Sequence, residues 1–129
     1  MRKATSPSKR NSTRHTGLLG ESLASQALQK RGYVLVERNW RCPQGEIDII
    51  AQDGDCWVFV EVKTRHGHTA GAPEEALTEA QLNRLCELAE IYLAERDLEV
   101  SWRIDLVAIE LGPKDTLRRL RIITGIGID

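Results

Sequence analysis

Leu19, Leu23, Ala24, Ala27 and Leu28 recur at three- and four-residue intervals and so lie on one stripe of a helix. Thr16 can cap that helix and Gly32 can stop it, which predicts a helix from Thr16 to about Arg31 with Glu21 at the edge of the stripe. The period then shortens. "YVLVERN" reads as a short strand, "RCPQG" as a loop, and "EIDIIAQ" and "CWVFVEVK" as strands joined at Asp53-Gly54, a two-residue hairpin signal. Helical spacing returns at Leu82, Leu85, Cys86, Ala89, Tyr92 and Leu93. Its start is marked twice, because Thr78 with Gln81 fits a capping box and Leu77 with Leu82 fits a hydrophobic staple. "VSWRIDLVAIEL" and, beyond the Gly112-Pro113 break, "LRRLRIIT" are the last two strands. The order helix, three strands, helix, two strands predicts an α/β fold: a mixed β-sheet flanked by helices, with an antiparallel hairpin at its start.

At 129 residues the chain suffices for one core and one domain. The net charge of −1 conceals an uneven distribution, because Arg2, Lys3, Lys9, Arg10 and Arg14 fall in the first 16 residues with no acid among them. That segment is too polar to pack and lacks the apolar run of a signal peptide. Residues 1–16 are expected as a disordered basic arm, solvated or touching phosphates, ahead of a single domain over residues 17–129. No apolar stretch reaches membrane-spanning length, so no membrane partner is expected. Cys42, Cys56 and Cys86, odd in number and without C-x-x-C spacing, argue against a zinc site and for a cytoplasmic protein.

Charge interrupts the apolar strands at one place. Successive strand side chains alternate faces, so Glu46 and Asp48 share a side of one strand, and Glu61 and Lys63 share a side of the next. With Asp53-Gly54 as the turn, Asp48 faces Phe59 and Glu46 faces Glu61. Asp48, Glu61 and Lys63 then occupy one face, Asp48 being a diagonal neighbour of Glu61 at roughly 7–8 Å. Either a divalent cation or Lys63 relieves the repulsion between Glu46 and Glu61, and both remain open. Mg²⁺ typically takes one or two carboxylates plus waters and a substrate phosphate. It would neutralise that phosphate and acidify a water, while a nearby ammonium orients the water. The plain alternative for Glu61 and Lys63 is a solvated salt bridge worth under about 1 kcal/mol. Against it stands the context, since both strands are apolar on both faces, where charge is costly.

With these residues in view, the chain resembles the PD-(D/E)-x-K nuclease superfamily. More narrowly it resembles the YraN-type family of uncharacterised bacterial proteins, similar to archaeal Holliday-junction resolvases. The likeness runs from about Gly17 to Thr124 and is carried by "GLLGESLA", "RNWRCPQGEIDIIA", "VFVEVKTR", "LCELAEIYL" and "WRIDLVAIE". It implies a restriction-endonuclease-like core and a metal-dependent endonuclease acting on DNA, branched recombination or repair intermediates included, with a homodimer suiting a two-fold junction. Asp48 corresponds to the superfamily's aspartate, Glu61 and Lys63 to its E-x-K, and Glu21 to a first-helix glutamate that helps hold water at the metal. Mg²⁺ or Mn²⁺ would be held by Asp48, Glu61 and the carbonyl of Val62, with Lys63 acting on the attacking water. Glu46 belongs to the family's "GEID" signature. The sequence departs from the superfamily at Gln81, where a basic residue is usual and where the capping box already accounts for the glutamine.

Arg65, just beyond the motif, and Arg14 in the arm are the candidate phosphate contacts. The alternative reading is a non-catalytic nucleic-acid-binding module with the nuclease fold, leaning on the arm, Arg65 and the bases Arg118, Arg119 and Arg121 of the last strand. A third is a protein-interaction scaffold with no nucleic acid partner. His66 and His68 form an H-x-H without further ligands, and "TGIGID" lacks the following helix of a phosphate loop. Arg103 and Asp105 alternate onto one face as a structural pair, and Trp40, Trp57 and Trp102 suit a core or interface.

Overall fold

The computed structural model describes residues 7–67 and 77–127. Helix α1 (Pro7–Lys30) presents Leu19, Leu23, Ala24 and Leu28 to the core. It ends in a Schellman turn: the Tyr33 amide donates to the Leu28 carbonyl and the Gly32 amide to the Gln29 carbonyl, both at 3.0 Å, with Gly32 at φ 104°. The start departs from expectation. Thr16 lies inside the helix, and the basic segment expected to be disordered is helical from Pro7 onward. Once a packed helix exists, adding turns needs no new nucleus, and proline suits the first position. Residues 1–6 of the expected arm lie outside the described residues, as does His68.

Strands β1 (Val34–Cys42), β2 (Gly45–Asp53) and β3 (Cys56–His66) precede helix α2 (Glu79–Glu95). Strand β4 (Trp102–Leu111), a 3₁₀ turn at Pro113–Asp115 and strand β5 (Leu117–Ile123) follow. The five strands form one sheet in chain order. Every neighbouring pair is antiparallel except β3 and β4, whose parallel pairing requires the crossover that α2 supplies. The result is the mixed sheet, with its helices, that the order of elements predicts.

Each helix packs on one face of the sheet. Ala24 and Leu28 of α1 pack with Ile49, Ala51, Val58, Val60, Val107 and Ile109. On the other face Leu85, Leu88, Ala89, Tyr92 and Leu93 of α2 meet Trp40, Ile47, Ile50, Phe59 and Ile104. Val58, Phe59 and Val60 are fully buried in succession, which is why β3 is apolar on both faces over that stretch. The tryptophans belong to this core: Trp40 is buried edge-on to Tyr92 at 5.3 Å, and Trp57 and Trp102 pack against the same cluster.

Helix α2 starts as its sequence indicates. The Gln81 amide donates to Thr78 Oγ1 at 3.1 Å, the Thr78 amide donates to Gln81 Oε1 at 3.0 Å, and Leu77 is buried. Arg103 and Asp105 form the expected pair, with Nε donating to Oδ1 at 2.9 Å. Asp105 is fully buried and also accepts from the Tyr33 hydroxyl at 2.8 Å and the Gly125 amide at 3.0 Å, which ties the C-terminal segment to the sheet.

Candidate active site

The site forms where β2 and β3 part company. Their hairpin turns at Gly54-Asp55, with Asp53 paired to Cys56, rather than at Asp53-Gly54. Gly54 has φ 63° and Asp55 is not left-handed, the type II′ pattern that places glycine first. This moves the register by two residues. Ile50 pairs with Phe59 and Ile49 with Val60, so the next step brings Asp48 directly across from Glu61 rather than diagonal to it. Glu46 correspondingly does not face Glu61. It is exposed and pairs with Arg41 at 3.3 Å.

The β2–β3 pairing ends at Ile49 and Val60, and a side chain then replaces the ladder: Asp48 Oδ2 accepts the Val62 amide at 2.8 Å. A second irregularity lies on the other side of β2. Ile47 packs toward α2 and Ile49 toward α1, although residues two apart on a regular strand share a face. Opposite this break, between the pairs Arg38–Ile49 and Trp40–Ile47, Asn39 takes a left-handed conformation at φ 54°. Asp48 thus sits where β2 and β3 diverge, within reach of Glu21 from α1 and of the cleft beside α2.

Lys63 and Glu61 sit together on β3, with Nζ 3.4 Å from Oε2 and both side chains largely covered. From the α1 side comes Glu21, 16% exposed, whose Oε1 is buried without a hydrogen-bond partner and lies 3.9 Å from Arg38 Nη2. Helix α1 can approach so closely because Gly20 lies against Thr64, where even a Cβ would collide. From the α2 side, Gln81, Arg84, Leu85 and Leu88 line a cleft of about 480 Å³ with Gly45, Glu46, Asp48 and Glu61. A second cleft, on the α1 side, is lined by Arg14, Arg41, Glu21 and Glu46.

Burial, then the charge of Glu61, push the Asp48 carboxyl up to about 7 despite the Val62 amide, with Glu21 and Glu46 adding to the rise. Burial likewise raises Glu61, and Lys63 partly offsets this. Two desolvated carboxyl groups whose affinity for protons is raised are a site short of positive charge. Among the described residues no three His, Cys, Asp or Glu side chains are placed to hold a metal ion. A hard cation that keeps its waters needs only one or two carboxylates, and Asp48 with Glu61 fits that demand. The unpartnered Glu21 oxygen suits an acceptor for such a water.

Asp48, Glu61, Lys63 and Glu21 are thus brought together, and Val62 joins them through its amide. Arg14 borders the α1-side cleft, whereas Arg65 is exposed farther along β3. His66 is turned away to Asp115 at 2.7 Å. Sequence reasoning passed over Arg84. Its signal is its position three residues after Gln81, on the same helix face and one turn inward from the cap.

The profile of the uncharacterised protein family UPF0102 matches residues 20–109. The chain belongs to this family. A UPF0102 protein of Beutenbergia cavernae is 46% identical over 112 residues, covering 86% of this chain and 94% of the relative. One from Roseiflexus castenholzii is 50% identical over 96 residues, covering 72% and 77%, and one from Symbiobacterium thermophilum is 48% identical over 107 residues, covering 82% and 91%. The part matched to UPF0102 contains Gly20, Glu21, Asp48, Glu61, Lys63 and Arg84, while Arg14 and β5 lie outside it.

Proposed function

We propose that this UPF0102 protein is a divalent-metal-dependent endonuclease that hydrolyses phosphodiester bonds in DNA, branched intermediates included. The observation that carries the reading is the pinning of Asp48 by the Val62 amide beside the largely covered Glu61, whose affinity for protons burial raises. Asp48, Glu61 and the Val62 carbonyl would hold Mg²⁺ or Mn²⁺, which supplies charge neutralisation at the phosphate and acidifies a water.

The chain's own groups do the rest. The Val62 amide fixes the Asp48 carboxylate in place, so no reorganisation is needed when charge develops. Lys63 Nζ, held at 3.4 Å by Glu61, orients the attacking water and donates to the phosphoryl oxygen as negative charge accumulates there. Glu21 Oε1 accepts a hydrogen bond from a water on the α1 side. Arg84 and Gln81 on one flank, and Arg14 on the other, contact the neighbouring phosphates, with Arg84 supplying the charge that Gln81 lacks.

A second reading, a binding module with no turnover, draws on the Lys63–Glu61 ion pair, which is also a sufficient structural use of both residues. A cleavage screen separates the two. Linear, flapped and four-way DNA are incubated with Mg²⁺ and Mn²⁺ beside Asp48→Asn, Glu61→Gln and Lys63→Met. Endonuclease activity predicts metal-dependent cleavage of at least one form that all three substitutions abolish. Cleavage that survives them would place the chemistry elsewhere, and metal-independent binding without cleavage would leave the binding module.

A further inference from the structure

Beyond Leu106, the face of the sheet that carries Lys63 is not buried by α2. On β4 the residues Val107, Ile109 and Leu111 turn into the α1-side core, while Ala108 and Glu110 alternate onto the other face and stay half-exposed. The registers run straight across three strands there. Lys63 on β3 pairs with Ala108 on β4 and Ala108 with Arg121 on β5; one step further, Arg65 pairs with Glu110 and Glu110 with Arg119. Paired positions share a face, so Lys63, Arg65, Arg119 and Arg121 border one patch in which, among the described residues, Glu110 lies between the arginines and Glu61 pairs with Lys63 at the margin. Lys63 and Arg121 are about 10 Å apart at the backbone, two strand spacings, with the small Ala108 as the floor between them.

The arginines of this patch differ from others in the protein. Arg38, Arg41, Arg96 and Arg103 each meet a carboxylate within 4.0 Å, whereas among the described residues Arg65, Arg119 and Arg121 meet none. They are exposed and lead away from the candidate active site to the edge of the sheet. A span of about 10 Å matches on the order of three phosphates of one strand measured along a duplex.

We infer that this sheet face is a docking track for the phosphate backbone of the DNA strand to be cut, running from Lys63 across Ala108 to Arg121, with Arg65 and Arg119 along its second row. The inference rests on the nuclease reading for its substrate, and its test does not require turnover. Glu110 in the centre keeps the backbone to the arginine-lined margins by repulsion.

The experiment measures binding of the full chain to a fluorescein-labelled linear duplex and a four-way junction in EDTA, across a salt series. Arg119→Ala/Arg121→Ala is expected to weaken binding tenfold or more and to flatten the plot of log affinity against log salt by about 1.8, the value for two lost phosphate contacts. Arg119→Lys/Arg121→Lys should restore the slope, and Arg31→Ala, at the far end of α1, should leave it unchanged. Thermal melts of each variant separate lost contacts from lost fold. A slope unaltered by the double alanine variant, or no binding to either DNA at low salt, overturns the track. Metal-dependent cleavage with an unaltered slope overturns the track while the nuclease reading stands. A flattened slope in a protein that cuts no DNA does the reverse.

Discussion

The carboxylate of Asp48 takes the amide hydrogen of Val62 at 2.8 Å, one step beyond the last β2–β3 pair, so a catalytic candidate does the work of a missing ladder bond. This couples the divergence of β2 and β3 to the charge of the site. It also keeps a desolvated acid next to Glu61.

The first prediction follows from that coupling. The Asp48 carboxyl has an ordinary value of 3.8 and is pushed up to about 7 in the folded chain by burial and by Glu61. A raised acid favours the folded state fully below its unfolded value, and that advantage is lost as pH rises through the folded one. Between pH 4 and 8 in EDTA, wild type should therefore lose stability relative to Asp48→Asn, by on the order of a few kcal/mol. Urea melts of the two proteins across this range give the difference directly. Mn²⁺ should remove the wild-type deficit at pH 8 and leave Asp48→Asn unmoved, because a ligand stabilises the state that binds it. A difference that does not change with pH would show that Asp48 is ionised throughout.

Gly20 yields the second prediction. A Cβ there would run into the Thr64 hydroxyl and sit 3.0 Å from Thr64 Cβ, so Gly20→Ala should cost about 1–3 kcal/mol by overpacking. Because Glu21 is the next residue, the displaced helix should also weaken any Glu21 contribution to catalysis. Thr64→Ala opens the space, and the double variant should recover most of the loss. A double-mutant cycle on urea midpoints measures the coupling, which should exceed about 1 kcal/mol for side chains in direct conflict. Additive single effects would mean that the helix slides without resistance.

Gly20 illustrates what the sequence makes legible and what it does not. Local signals were readable: the Thr78–Gln81 box, the Gly32 stop, the helical stripe and the strand order all rest on short-range physics. Of the candidate cluster, Glu61 and Lys63 were readable because charge stood out in an apolar strand. The register was not, because Asp53-Gly54 and Gly54-Asp55 are both acceptable turns and only the packing of Ile49, Ile50, Phe59 and Val60 decides between them. Nor was the flip at Asn39, the close approach at Gly20 or the position of Arg84, each of which depends on a tertiary neighbour. The helix begins before Thr16 because polar composition argues against packing, not against extension of a helix already packed.

A third prediction concerns the buried acid of β4. Asp105 is fully buried and holds Arg103, Tyr33 and the Gly125 amide, so Asp105→Ala leaves the hydroxyl and the amide without that acceptor and leaves the Arg103 guanidinium with Asp53, at 2.9 Å, as its carboxylate. The expected loss is about 3–5 kcal/mol. Removing the charge as well, in Arg103→Met/Asp105→Ala, should be milder than the single change, since Arg103, largely covered, then no longer holds a charge that only the half-exposed Asp53 carboxylate balances. Denaturation midpoints of the three variants test the order, and a double variant less stable than Asp105→Ala would refute it.

The fourth prediction separates holding the metal from using it. Lys63 lies 3.4 Å from Glu61 and lowers that carboxylate's affinity for protons, so it competes with a divalent cation for the same charge. Lys63→Met should then bind Mn²⁺ at least as tightly as wild type at pH 8, by isothermal titration calorimetry, while cleaving no DNA. Glu61→Gln should lose both, with metal affinity falling tenfold or more as one of two carboxylate ligands is removed. If Lys63→Met binds the metal much more weakly, the ammonium is serving the structure of the cluster instead of the water. The carboxylates alone would then carry whatever chemistry the site performs.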